Sequence, residues 1–316
     1  MSGAFIRGID LSRAYFFETA LPALRRDRPE LAGSLAAGLV GNGSECFGYD
    51  DEFSRDHDWG TDFFIWLRDE DGSRVGDMAE WKLKLFSEHP PPYPRERSEY
   101  GASVGVTTCG AFYASLIGFE RGPQTIAQWR AAPEENFAMA VNGGVFIDGA
   151  GEFTSTREYL LGYYPEDLRR KKLAACCMAL AQTGQYNLDR CYARGDRVTV
   201  RTVISRFTES AIAAVFLLNR VFRPYYKWAY RAMTGLPVLG AEAGALLERI
   251  ASAPGPDADS VGEIRDGVSR LCAAIAGELL RQGLCTTDDW FLTSHGEQLR
   301  LGIGDEYLRS LPTQYA

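Results

Sequence analysis

The chain has 316 residues, with 34 Lys and Arg against 42 Asp and Glu, a net charge of −8 and a pI near 5.1. That length suits two modest domains with ample core, and 46% apolar with 24% charged residues is the composition of a soluble globular protein. The acidic balance argues against a general nucleic-acid-binding surface and fits neutral or cationic small substrates better.

Met1–Ile6 has no basic region followed by a long apolar segment, so no secretory signal is expected. Residues 10–26 read as a helix opened by Asp10 and bent at Pro22, and Pro29 to Leu39 as a second helix leading into a turn. That turn is Gly41-Asn42-Gly43-Ser44, followed by a polar loop over 48–55. Asp62 to Leu67 is the clearest strand, short, aromatic and apolar. A helix over 77–88, with Met78, Trp81 and Leu85 on one side, is stopped by Pro90-Pro91-Pro92. A strand over 103–108, helical pieces over 111–117, 125–131 and 133–140, and a strand over 144–149 complete an α/β (α+β) domain ending near residue 160.

Beyond Pro165 the pattern is helical. Val203, Phe207, Ala211, Ala214, Leu218 and Val221 line one face of a long helix, and Val261, Ile264, Val268, Leu271, Ile275 and Leu279 line another. The second is expected to open on a Ser260-x-x-Glu263 capping box after a proline-rich loop over 251–258, and to stop at Gly283. Residues 161–316 are therefore expected to form an all-α bundle. Its apolar run Ala211–Leu218 is too short to span a bilayer. Seven cysteines form no C-x-x-C pair, which points to a reduced, cytoplasmic protein, and Cys176-Cys177 read as buried thiols. Arg169-Arg170-Lys171-Lys172 reads as a solvated helix face.

Chemistry concentrates between residues 39 and 67. A glycine turn offers backbone N–H groups and the Ser44 hydroxyl to phosphate oxygens. Eleven residues separate Ser44 from Asp56-His57-Asp58. Two carboxylates at i and i+2 of an extended segment face the same way, so one divalent cation can bridge them to a triphosphate. The bland alternatives are an ordinary tight turn and a solvated acidic loop, since Asp50, Asp51, Glu52 and Asp62 crowd the region; Asp58 pairing with Asp62 is a further option. His57 lies between the same-facing aspartates and projects to the opposite side, where a structural hydrogen bond is expected.

Gly43-Ser44, this gap and Asp56-x-Asp58 resemble the signature of the DNA polymerase beta-type nucleotidyltransferase superfamily. More narrowly, Ser54-Arg55-Asp56-His57-Asp58-Trp59-Gly60 with Arg223-Pro224-Tyr225-Tyr226-Lys227-Trp228 resembles an uncharacterised bacterial family of nucleotidyltransferase-like proteins. The resemblance implies a mixed sheet in the first domain and transfer of a nucleoside monophosphate from an NTP to a small-molecule, or less favoured protein, hydroxyl. It implies Mg²⁺ (or Mn²⁺) on Asp56 and Asp58, with Asp62 as a further metal ligand. Gly43 and Ser44 would hold the nucleotide's phosphates, and Lys227 would reach them from the second domain. The superfamily's third carboxylate falls on Val104-Gly105-Val106, where this chain has glycine. Asp62, Asp148 or Glu99 is then the replacement, or the fold is a catalytically inactive nucleotide- or partner-binding module. No P-loop, dinucleotide fingerprint, H-E-x-x-H or G-x-S-x-G competes with this reading.

Overall fold

A computed structural model describes residues 5–56, 59–95, 105–253 and 258–315. The chain divides into two compact units, Met1–Gly162 and Tyr163–Ala316.

The first unit opens with α1 (Gly8–Tyr15), a π-helical turn (Phe16–Ala20) and α2 (Leu21–Asp27). The helix starts at Gly8 rather than Asp10 because the Gly8 N–H donates to the buried Asp50 carboxylate (2.7 Å), while Asp10 pairs with Arg7 (2.8 Å). Pro22 sits in the first turn of α2, and the wide turn ahead of it absorbs the carbonyl that a proline nitrogen cannot serve.

The helix expected over 29–39 is not formed. Only Pro29–Ala32 is helical (α3), and Ala36–Leu39 is β1, the central strand, buried at every position. Its small residues carry no two-sided pattern because both faces are covered. A Cβ at Gly38 would lie 2.3 Å from the Gly144 carbonyl oxygen, so the neighbouring strand requires glycine there.

Three more strands complete the sheet: β2 (Phe64–Leu67), β3 (Val106–Thr108) and β4 (Gly144–Asp148), in the order β3-β2-β1-β4. β1 is antiparallel to both β2 and β4, and β2 is parallel to β3, so the sheet is mixed. The register pairs Leu39 with Gly144 and Gly38 with Phe64 at one end, and Ala36 with Asp148 and Leu67 with Thr108 at the other.

Helices α4 (Ser44–Phe47), α5 (Val75–Glu88), α6 (Cys109–Ile117), α7 (Ile126–Ala131), α8 (Glu134–Val141) and α9 (Glu152–Leu161) connect and cover these strands. Met78, Trp81 and Leu85 of α5 join Phe16, Leu24, Phe63, Ile65 and Leu67 in one core cluster. Trp66 points to the other face and stacks on Phe153 with ring centroids 3.9 Å apart. This alternation along β2 is the period-two placement of a strand covered on both faces.

The second unit is helical: α10 (Glu166–Leu180), running through a π-helical stretch (Ala181–Asn187) into α11 (Leu188–Ala193), then α12 (Arg197–Asn219), α13 (Tyr226–Thr234), α14 (Gly240–Ser252), α15 (Ala258–Arg281), α16 (Leu292–Leu301) and α17 (Glu306–Ser310). The apolar stripes of α12 and α15 are buried except at Val221, which lies beyond the end of α12 and is exposed. α15 begins at Ala258, so Ser260 is inside the helix rather than capping it; of the loop expected over 251–258, residues 251–252 belong to α14 and 254–257 lie outside the described residues. The basic run on α10 is not a solvated face. Arg169 donates to the Leu217 carbonyl and pairs with Glu166, and Lys171, fully buried, donates to the Leu311 and Pro312 carbonyls (2.7 and 2.9 Å). Two positions apart on a helix, the two side chains leave it on opposite sides, and each meets backbone carbonyls of a different segment. All seven cysteines are free, and no helix among the described residues is long and apolar enough to cross a membrane.

Candidate functional site

β1 ends at Leu39, and the chain turns through Gly41–Gly43 into the single helical turn α4. Gly43 has φ +117°, a conformation other residues rarely adopt, and leaves Ser44 half-exposed at the first helical position. Three hydrogen bonds from the segment between α8 and β4 close this turn. The Asn142 side chain accepts from the Gly41 N–H and donates to the Gly41 carbonyl, both at 2.8 Å. The Gly143 N–H donates to the Cys46 carbonyl at 2.7 Å. Arg157 of α9, its pKa lowered by burial, donates to the Asn142 carbonyl at 2.7 Å and fixes that segment.

The loop after α4 returns to the same end of the sheet. Asp56 is the last residue of a 3₁₀ turn, Glu52–Asp56; His57 and Asp58 lie outside the described residues. The indole of Trp59 donates to Asp50 (3.0 Å), the acid that also receives the Gly8 N–H. The Thr61 N–H donates to the Tyr93 carbonyl at 2.6 Å. The Asp56-His57-Asp58 segment is therefore followed by a buried, hydrogen-bonded anchor immediately before β2.

Asp62 is nearly fully buried and takes Lys82 Nζ at 2.6 Å; the same ammonium donates to the Phe63 carbonyl at 2.6 Å and sits 4.9 Å from the Phe63 ring centroid. Oδ1 of Asp62 takes both this ammonium and the Phe63 N–H (2.8 Å). Glu45, buried beside the turn, forms an ion pair with Arg95. Burial pushes the Cys46 thiol up to about 12, so it remains neutral.

Gly105 lies just ahead of β3, with its carbonyl accepting from Ile65 N at 3.0 Å, and no side chain enters from that position. Of its possible replacements, Glu99 lies outside the described residues. Asp148 is at the far end of the sheet from Gly43 and accepts the Gly151 and Thr154 N–H groups (2.9 and 2.7 Å), capping α9. Lys227 is exposed on α13 in the second unit, with its ammonium 5.0 Å from the Trp228 ring centroid.

At that far end, Asp69, Glu70, Glu120 and Glu152 line a cavity of about 380 Å³ together with Cys109 and Arg121. Asp69 accepts the Gly110 N–H at 2.7 Å and faces Glu152, whose pKa is raised by burial and by the neighbouring Asp69 charge. Burial and the surrounding acids also hold the Cys109 thiol neutral.

Glycine-turn amides, a serine hydroxyl and carboxylates are hard oxygen and N–H partners suited to Mg²⁺ and phosphate. Among the described residues no three His, Cys, Asp or Glu are grouped to hold a metal ion, and Asp58 is not one of those residues. Asn142 and Lys82 escaped the sequence reading, and Asp50, counted there with a solvated acidic loop, is buried. Asn142-Gly143-Gly144 before an apolar strand is a turn signal, but its partner Gly41 is remote in sequence.

Residues 129–229, about a third of the chain, match a family described as a domain of unknown function, DUF4037. The match runs from α7 into α13, taking in Asn142, Arg157 and Arg223 to Trp228, and does not extend to the Gly43-to-Asp58 segment. No curated protein and no solved structure matches the chain.

Proposed function

We propose that the first unit binds a nucleoside triphosphate with Mg²⁺ at the Gly43 end of the sheet and transfers its nucleoside monophosphate to a small-molecule hydroxyl. The observation that carries this reading is electrostatic. Beside the Gly43-Ser44 turn the buried acids Glu45 and Asp62 are each neutralised by a cation, Arg95 and Lys82. A third buried acid, Asp50, has the Gly8 N–H and the Trp59 indole rather than a cation, so a triphosphate approaching the turn meets one carboxylate without a countercharge instead of three. The mixed sheet supports the same reading, since β1 antiparallel to β2 and β2 parallel to β3 bring the glycine turn and the segment before β2 to one edge.

In this scheme Asp56 and Asp58 hold the metal, and Ser44 and the adjacent amides hold the terminal phosphates. Bound Mg²⁺ supplies positive charge that stabilises an in-line displacement. The acceptor oxygen bonds to the α-phosphorus, its proton is lost, and pyrophosphate leaves. Gly105 favours a second reading, a module that binds nucleotide without turning it over, because the third strand brings no carboxylate.

The test is thermal unfolding of wild type and Asp56→Ala/Asp58→Ala with ATP, GTP, CTP and UTP, each with and without Mg²⁺. Nucleotide at a hundred times its Kd adds about 2.7 kcal/mol. A Mg²⁺-dependent shift lost in the double variant is expected, with pyrophosphate release across an acceptor panel separating transferase from binding module. The absence of a shift with every nucleotide refutes both.

A further inference from the structure

We infer that Asn142 is the positioning residue of the phosphate-binding turn, acting with Arg157 behind it; this rests on the nucleotide reading above. The Asn142 amide satisfies both backbone groups of Gly41 at once, N–H to Oδ1 and Nδ2–H to carbonyl, each at 2.8 Å. Such a two-point contact holds the two peptide units that flank the Gly41 Cα and so fixes the bend between them as a single bond cannot. The next residue, Gly143, holds the other side of the turn through the Cys46 carbonyl. Thus Gly41 and Cys46, which bracket Asn42-Gly43-Ser44-Glu45, are both fastened to one dipeptide just before β4. Glycine at 41 and 43 leaves the free turn many conformations, and N–H donors bind phosphate well only when they converge before the ligand arrives. Arg157 Nη1 holds the Asn142 carbonyl at 2.7 Å, so the clamp is rooted in α9 rather than in a loop.

A purely structural asparagine would tie strands together without affecting phosphate. Asn136 provides that control: its side chain donates to the Leu116 carbonyl at 2.7 Å within the same unit and does not touch the turn. The experiment is calorimetric titration with Mg²⁺-tripolyphosphate and with the nucleotide found in the thermal panel, on wild type, Asn142→Ala, Asn142→Asp and Asn136→Ala. Tripolyphosphate isolates the phosphate contribution from base and ribose.

Asn142→Ala should weaken both ligands about tenfold or more, and by the same factor, while Asn136→Ala binds both as wild type does even where it lowers Tm. Asn142→Asp retains the bond from the Gly41 N–H, so it preserves the turn if alanine unfolds it. Its carboxylate opposes the Gly41 carbonyl and the incoming phosphate, and its loss should exceed tenfold. If both Asn142 variants bind tripolyphosphate as tightly as wild type, or if Asn136→Ala weakens it equally, the positioning role is overturned while the nucleotide reading stands. If wild type binds neither ligand, both fall together.

Discussion

Where β1 runs out and β2 begins, Glu45 is buried against Arg95, Asp62 against Lys82, and Asp50 takes the Gly8 N–H and the Trp59 indole. At the opposite end Asp148 and Asp69 are answered by backbone amides of α9 and α6, and Glu152 faces Asp69 in a cavity where acids outnumber Arg121. A carboxylate paired with a cation leaves little net charge, whereas one held by amide dipoles keeps its full negative charge. The two ends therefore differ at two acids: Glu45 and Asp62 have a cation behind them, whereas Asp50, like Asp148 and Asp69, is held by N–H groups. Counting acids along the chain misses this distinction, which depends on whether a cation stands behind each of them.

Removing one of those cations should produce the largest effect. Lys82→Met leaves Asp62 buried without its ammonium and should cost about 3–5 kcal/mol in chemical denaturation. The double variant Lys82→Met/Asp62→Asn should recover much of that loss, because no isolated charge remains. If Mg²⁺ restores the single variant, Asp62 is available to a metal and the contrast between the two ends breaks down.

At the other end the expected loss is smaller. Asp148→Ala removes the acceptor for the first turn of α9 and should lower stability by about 1–2 kcal/mol, read as a shift in the urea midpoint at unchanged slope. A loss as large as that from Lys82→Met would mean that amide-held acids matter as much as ion-paired ones.

The smallest effect is a pH dependence. Glu152 has a raised pKa, so the folded protein retains this proton at pH values where the unfolded chain has released it. The contribution to stability is complete below the ordinary glutamate value of about 4.3 and is lost as pH rises through the folded value. Glu152→Gln should match wild type in acid and exceed it in Tm increasingly toward pH 8. A difference that shrinks with rising pH would mean Glu152 gains more from Arg121 than it loses to Asp69.

Much of the fold was legible because periodicity reports burial directly. The stripe from Val203 to Leu218 on α12, the apolar run of β2 and the pattern of α5 name their elements and their inward faces. The reading failed at β1, where Ala36-Ala37-Gly38-Leu39 is buried on both sides and so carries no period to separate helix from strand. It failed again at Arg169 and Lys171, since charge predicts exposure only where no carbonyl waits in the interior. For the candidate site, the glycine turn and its distance from Asp56-x-Asp58 were readable as local chemistry, while Asp58 and His57 lie outside the described residues.

The sequence by itself determined the inventory: the α/β part followed by helices, the flexible turn at Gly41 to Ser44, and the oxygen ligands that hard cations and phosphates require. Those properties belong to individual residues and their near neighbours. Only the tertiary structure decided which acids are neutralised, that Asp148 is at the wrong end of the sheet to join Gly43, and that Asn142 grips Gly41. Lys82 meets Asp62 across 20 positions and Asn142 meets Gly41 across 101, and strand order and register, which pair segments by their fit in space, decide such meetings.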